Sequence, residues 1–209
     1  MAGRGRHGRS WSSPPGNLYL SIIQRPDCRP AEAPQLGFVA GVALAEALGR
    51  LSDIPVTLKW PNDLMANGKK ASGILLESAA DADGRMDWLI IGTGVNVELS
   101  PADLPDVTSL HEEGAEISVE ALLSTFLERL FWHIGQWQEH GFQPIRERWM
   151  SYALPVGTQM RVKMPGGDVL GRFSGIDERG SLLLGSDGDA RRIDMGDIFP
   201  VPATNGRAD

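Results

Sequence analysis

Apolar and polar residues alternate over 17–23 (NLYLSII) and then run apolar, the pattern of a strand. Pro26, Pro30 and Pro34 break the next stretch into loop. Residues 35–51 are rich in Ala and Leu, and Leu44, Leu48 and Leu51 recur at helical spacing, which predicts a helix. A short strand follows over 56–60 (VTLKW), stopped by Pro61, which also keeps Trp60 extended. Asn67-Gly68 is the strongest hairpin signal in the chain and turns it into a second strand over 71–79. The run over 86–97 is long enough for a central strand. The clearest helix spans 118–141. There Leu123, Leu127, Leu130, Ile134 and Trp137 form one apolar stripe, Ser118 is placed to cap the start, and Gly141 is placed to end it. A shorter helix runs on to about residue 152.

After Leu154 the texture changes to short strands at short intervals: 160–164, 169–176, 181–185, 190–195 and 198–201. Pro165-Gly166-Gly167, Arg179-Gly180 and Asp187-Gly188 separate them, which predicts a small antiparallel β-barrel. The chain thus reads as α+β in two domains, residues 1–153 and 154–209. Residues 1–16 read as a loop and 203–209 as a frayed tail.

The chain has 209 residues, 42% apolar and 22% charged, which excludes a disordered tail and leaves enough material for a proper core. The net charge of −7 argues against nucleic acid as the main partner, because neutralising phosphates needs a basic face. Cys28 is the single cysteine, so neither an intramolecular disulfide nor a cysteine-rich zinc site is available. No apolar run suits a membrane span, and the basic N-terminus has no apolar core after its charges. The expected compartment is the cytoplasm.

Three segments carry candidate chemistry. In Gly3-Arg4-Gly5-Arg6-His7-Gly8-Arg9, glycines let backbone N–H groups gather on an anion while guanidinium groups add charge-assisted contacts. The same residues would also serve as a basic leader, but they run directly into Trp11, a Pro14-Pro15-Gly16 turn and a strand. In Lys59-Trp60-Pro61-Asn62-Asp63, continued by Lys69-Lys70-Ala71-Ser72-Gly73-Ile74-Leu75, an amide and a carboxylate sit just past a strand end. That pair suits Mg²⁺ and phosphates; it is also ordinary turn chemistry. In Gly92-Thr93-Gly94-Val95-Asn96-Val97, glycine within a strand marks a close approach or a bulge. His7, His111, His133 and His140 show no metal-ligand spacing, and His133 and His140 read as decoration on the polar side of their helix. No nucleophile elbow or P-loop is present.

Taken together and in this order, GRGRHGRSWSSPPGNLYLS, KWPNDLMANGKKASGILLE and IGTGVNV resemble the catalytic domain of biotin–protein ligases. The GIDERGSLLL segment is similar to that family's C-terminal SH3-like domain, so the resemblance covers nearly the whole chain. It implies a mixed sheet with helices, as in class II aminoacyl-tRNA synthetases and biotin ligases, followed by a small SH3-like barrel. It also implies activation of biotin by ATP with Mg²⁺ to biotinyl-5′-AMP, then transfer to a lysine of a biotin carboxyl carrier domain, usually that of acetyl-CoA carboxylase. Family members are monomers or homodimers.

By the same resemblance Arg6 and Lys70 are the catalytic cations. Gly3, Arg4, Gly5, Arg6, Trp11, Lys70, Gly73 and Leu75 surround biotin and the adenylate. Asn62, Asp63 and Asn96 stand by the nucleotide and its phosphates, with Asp63 as a Mg²⁺ ligand or as help in deprotonating the acceptor lysine. Family members carry a segment before the Gly-Arg loop, with a Ser/Thr-Asn motif and a Gln that bind the biotin ureido group. A chain starting at Met1 is therefore expected to bind biotin poorly, to leave apolar sheet surface open and to show little activity. No helix-turn-helix is read in the sequence, so no operator binding is expected. A non-catalytic relative and a lipoate or octanoyl transferase are the alternative readings; an RNA-binding arm is disfavoured by the acidic balance.

Overall fold

The computed structural model describes residues 3–164, 167–186, 189–194 and 196–200. The turns expected at Pro165-Gly166 and Asp187-Gly188 and the tail over 203–209 lie outside those residues.

The N-terminal stretch is more ordered than a loop. Strands β1 (Gly3–Arg4) and β2 (Ser10–Trp11) pair antiparallel, Gly3 opposite Trp11, around a 3-10 turn over Arg6–Gly8. Two backbone bonds tighten it, Gly5 N–H to Arg9 O at 2.7 Å and Arg9 N–H to Arg6 O at 3.2 Å. Alternation of Gly with Arg hid this pairing from a reading based on hydrophobic period.

Strand β3 (Leu18–Gln24) is followed by α1 (Gln35–Leu51), which covers the predicted range. Next come β4 (Val56–Lys59), β5 (Asp63–Ala66), β6 (Lys69–Ala80) and β7 (Met86–Val95). The strands form one sheet in the order β3-β7-β6-β5-β4, with every ladder antiparallel. Its parallel part is confined to isolated bridges, Leu58 with Ala153 and Lys70 with Val107. Asn67 and Gly68 both take positive φ (47° and 82°), so the predicted hairpin turn is present between β5 and β6. Asp63 lies inside β5, rather than merely beyond a strand end, because Pro61 and Asn62 make a second tight turn before it.

Helix α1 is buried on almost every side, as befits a central layer. Small residues let it sit close to the sheet: a Cβ at Gly37 would meet Leu76 at 3.4 Å, and one at Gly41 would meet Leu58 at 3.6 Å. Helices α2 (Val119–His140) and α3 (Gln143–Tyr152) cover its other side. Ser118 Oγ caps α2 by accepting from Ala121 N–H at 3.1 Å, and Gly141 (φ 74°) ends it. The buried stripe of α2 is turned from the expected one. Leu122, Phe126, Leu130, His133, Ile134 and Trp137 face inward, whereas Leu123 and Leu127 are half-buried. His133 is therefore a buried side chain and not surface decoration, since Glu46 of α1 accepts from its Nε2 at 3.0 Å.

The last strands are β8 (Gln159–Lys163), β9 (Val169–Ile176), β10 (Leu182–Ser186), β11 (Asp189–Ile193) and β12 (Asp197–Pro200). They make the expected small antiparallel unit, ordered β11-β10-β9-β8-β12, around Met160, Val162, Phe173, Ile176, Leu184 and Ile198. It docks on the end of the N-terminal helix-and-sheet layers. Trp60 Nε1–H donates to Gly180 O at 2.9 Å, and Arg146 Nε–H donates to Ile176 O at 2.7 Å. The bare Gly180 makes room for Phe38, whose ring a Cβ there would meet at 2.6 Å. This docking brings β12 beside the Gly-Arg loop.

Candidate functional site

One face of the sheet packs on α1 and the other carries the candidate site. Side chains opposite each other in an antiparallel ladder share a face, and the face changes with each residue. Leu89, Ile91, Thr93 and Val95 of β7 point to the helix and are buried. Their neighbours Ile90, Gly92 and Gly94 point the other way, together with Gly73 and Leu75 of β6 and Asp63 of β5. Three glycines on adjacent strands leave a shallow floor there.

Trp11 lies on that floor. A Cβ at Gly94 would stand 2.8 Å from Trp11 Cε2, and one at Gly73 would stand 3.1 Å from Cζ3, so the indole reaches the sheet only because both positions lack side chains. The Lys70 ammonium stands 5.5 Å from the indole centroid, a cation–π distance. Trp11 Nε1 is buried and has no hydrogen-bond partner among the described residues. Gly3 lies against Trp11 and donates its N–H to Ser13 Oγ at 3.2 Å. Arg4 reaches Glu77 at 3.3 Å in an exposed pair, which is worth little.

Beside the floor the charges converge. Asp63 Oδ1 lies 2.5 Å from Lys70 Nζ, an ion contact without hydrogen-bond geometry, and Asp63 Oδ2 lies 3.9 Å from Lys59 Nζ. Asn62 donates through Nδ2 to Ile74 O at 2.7 Å, which fixes its amide and turns Oδ1 outward to accept from Arg6 Nη1 at 3.4 Å. Arg6 and Lys70 thus approach the Asn62-Asp63 pair from two separate elements. Burial pushes the Lys59 ammonium below its usual range, with Lys70 adding to that effect, while Asp63 and Asp197 work against it.

Asn96 stands apart from this cluster. It is 2% exposed, and its Nδ2 donates to Thr108 O at 3.0 Å. Thr108 N–H in turn donates to Lys70 O at 2.9 Å, so Asn96 supports the backbone that carries Lys70. As for Asp63 as a Mg²⁺ ligand, its carboxylate is already engaged by two ammonium groups, and no group of three His, Cys, Asp or Glu side chains gathers among the described residues. That donor set does not fit a cation held by the protein alone.

Sequence reasoning missed Lys59, although KWPND was read, because a lysine at a strand end looks solvent-facing. It also missed Asp197, whose approach to Arg6 depends on how the barrel docks and leaves no local signal. It missed Asn17 as well, whose Oδ1 accepts from the N–H groups of Val97, Glu98 and Leu99 at 2.9–3.1 Å, because the pairing of β3 with β7 joins segments far apart in the chain.

A glycine-floored sheet face, an arginine loop and paired lysines over a carboxylate are the parts that a site for an anionic group beside an apolar one would use. The sequence matches the model of the Biotin/lipoate A/B protein ligase family over residues 10–151 and that of the Biotin protein ligase C terminal domain over residues 157–199. The chain is 35% identical over 213 residues to biotin--[acetyl-CoA-carboxylase] ligase of Paracoccus denitrificans, covering 95% of this chain and 86% of that protein. It is 39% identical over 204 residues to the bifunctional ligase/repressor BirA of Bacillus subtilis, covering 94% of this chain but 62% of that protein's length. Biotin protein ligase from Aquifex aeolicus, solved in complex with biotin and ATP, superimposes with a TM-score of 0.82 at 30% identity, over 95% of this chain and 84% of that one. The chain belongs to the biotin/lipoate protein ligase family. Among the described residues no helix is long and apolar enough to cross a membrane.

Proposed function

We propose that this chain activates biotin with ATP to biotinyl-5′-AMP and transfers the biotinyl group to a lysine of a biotin carboxyl carrier domain. The observation that carries the reading is the convergence of Arg6 and Lys70 on Asn62 and Asp63 beside a floor of Gly73, Gly92 and Gly94. On this reading a flat apolar ring system packs beside the Trp11 indole that covers Gly73 and Gly94, toward Gly92 and Leu75, with its acid group turned toward the cations.

In the first step a biotin carboxylate oxygen attacks the α-phosphorus of ATP. The new O–P bond forms as the bond to the β-phosphate breaks, and pyrophosphate leaves with the electron pair. Two anions must meet, so fixed positive charge supplies the stabilisation. Lys70 and Arg6 are held in place before substrate arrives and need little reorganisation during reaction. Arg4, Gly5 and the rest of the loop cover the mixed anhydride, which water would otherwise hydrolyse. In the second step the neutral amine of the acceptor lysine attacks the acyl carbon and AMP departs with the bonding electrons. Asp63 accepts the proton released from nitrogen.

Two likenesses support biotin over lipoate: the Aquifex aeolicus protein was solved with biotin and ATP, and the C-terminal match is to a biotin ligase domain. The test is incubation with ATP, a carrier domain of acetyl-CoA carboxylase and either biotin or lipoate, read by blot. A signal with biotin that needs both ATP and the acceptor lysine is expected. Labelling by lipoate alone would move the chain to the lipoate branch of the family.

A further inference from the structure

We propose that Asp197, on the last strand of the C-terminal unit, is a positioning residue that clamps the Gly-Arg loop and so sets where the Arg6 guanidinium stands. The proposal rests on the reading of Arg6 as a cation that faces the activated carboxyl group. Asp197 divides its two oxygens between two loop arginines: Oδ1 lies 3.3 Å from Arg6 Nη1, and Oδ2 lies 3.0 Å from Arg9 Nη2. The neighbouring Gly196 O accepts from the same Arg6 nitrogen at 3.4 Å. Gly196 is fitted for that place, since a Cβ would meet Val162 Cγ1 at 2.6 Å and push β12 away from β8.

The geometry of Arg6 suits a group that is held yet exchangeable. Its Nη1 has three acceptors, Asn62 Oδ1, Gly196 O and Asp197 Oδ1, all at 3.3–3.4 Å and all longer than a good charged hydrogen bond. The Arg6 side chain is only 20% exposed, against 61% for Arg9. A carboxylate or phosphate arriving in the pocket offers Nη1 a shorter, charged partner, while Arg9 stays on Asp197 and keeps the loop in place. Asp197 thus keeps two guanidinium groups from repelling each other out of the site, and the C-terminal unit takes part in closure from a distance.

The test compares the wild-type chain with Asp197→Asn and Asp197→Glu by three measurements. The first is the thermal midpoint. The second is the rate of tryptic cleavage after Arg4, Arg6 and Arg9, read by mass spectrometry on the intact protein. The third is KM and kcat for biotin in ATP–pyrophosphate exchange. The clamp predicts an unchanged midpoint, cleavage after Arg6 and Arg9 several-fold faster in Asp197→Asn, and a KM for biotin raised about tenfold, as expected for a lost preorganising contact, with kcat changed less. Asp197→Glu should restore most of both effects. Equal cleavage rates and equal KM in Asp197→Asn and wild type would overturn the proposal. Faster cleavage in Asp197→Asn, together with exchange that proceeds equally without biotin in every form, would uphold the clamp and remove the ligase reading instead.

Discussion

The site depends on what certain residues lack. Gly94 is the clearest case, because the indole of Trp11 occupies the space a side chain would need, 2.8 Å from the Cβ position. Replacing it by valine adds a branched group where backbone and indole already meet. Gly94→Val should displace Trp11, raise the KM for biotin by at least about tenfold through the steric cost of overpacking, and shift tryptophan emission to longer wavelength. An unchanged KM and spectrum would show that Trp11 does not wall the ligand pocket. At this scale the sequence showed which residues are unusual. Glycines inside strands and an arginine loop were visible, as was Lys70. Contacts joining distant segments, such as Asp197 to Arg6 or Asn17 to the 97–99 backbone, carry no local pattern and could not be read.

Among elements, the three helices are tied by one carboxylate. Glu46 on α1 meets Arg129 at 2.6 Å and His133 at 3.0 Å, both on α2, and Arg148 on α3 at 2.7 Å. Burial raises the Glu46 carboxyl pKa, but Arg148, His133 and Arg129 together outweigh it and bring the pKa down to about 2. Burial lowers the His133 pKa, against the pull of Glu46. Both shifts act in the same direction on stability. Each group binds protons more readily unfolded than folded, so stability is full at neutral pH. It falls first as pH drops below the ordinary histidine value of 6.5, and further between 4.5 and about 2 as Glu46 protonates. The Glu46 contribution is on the order of 3 kcal/mol from the linkage relation. Glu46→Gln should therefore lower the urea midpoint at pH 7 and flatten its acid limb. An acid limb of unchanged steepness would remove Glu46 from that role. Element positions were largely legible, because α1 and α2 have long periodic patterns and α2 has caps at both ends. The inward face of α2 was misread because Leu123 and Leu127 fit a stripe as well as Leu122 and Phe126 do. A polar residue such as His133 gives no sign in sequence that a carboxylate waits across the helix packing.

In the whole molecule, two units meet so that a strand of one completes the loop of the other. Trp60, Phe38 and Arg146 fix the C-terminal unit against the N-terminal layers, and that docking lets Asp197 reach the arginine loop. The family was legible because its motifs are linear and close-spaced. Docking was not, since it is set by surface fit between segments more than a hundred residues apart, such as Trp60 and Gly180.

In the proposed reaction, fixed cations from the arginine loop and the β5–β6 hairpin drive the union of a carboxylate with a nucleotide. This role is tested most directly by biotin-dependent exchange of labelled pyrophosphate into ATP, with wild type and Lys70→Ala compared. Exchange should require biotin and fall by about 10²-fold or more in Lys70→Ala, the scale of losing a preorganised charge at a reacting group, while circular dichroism stays unchanged. Exchange at wild-type rate in Lys70→Ala, or exchange that ignores biotin, would contradict it.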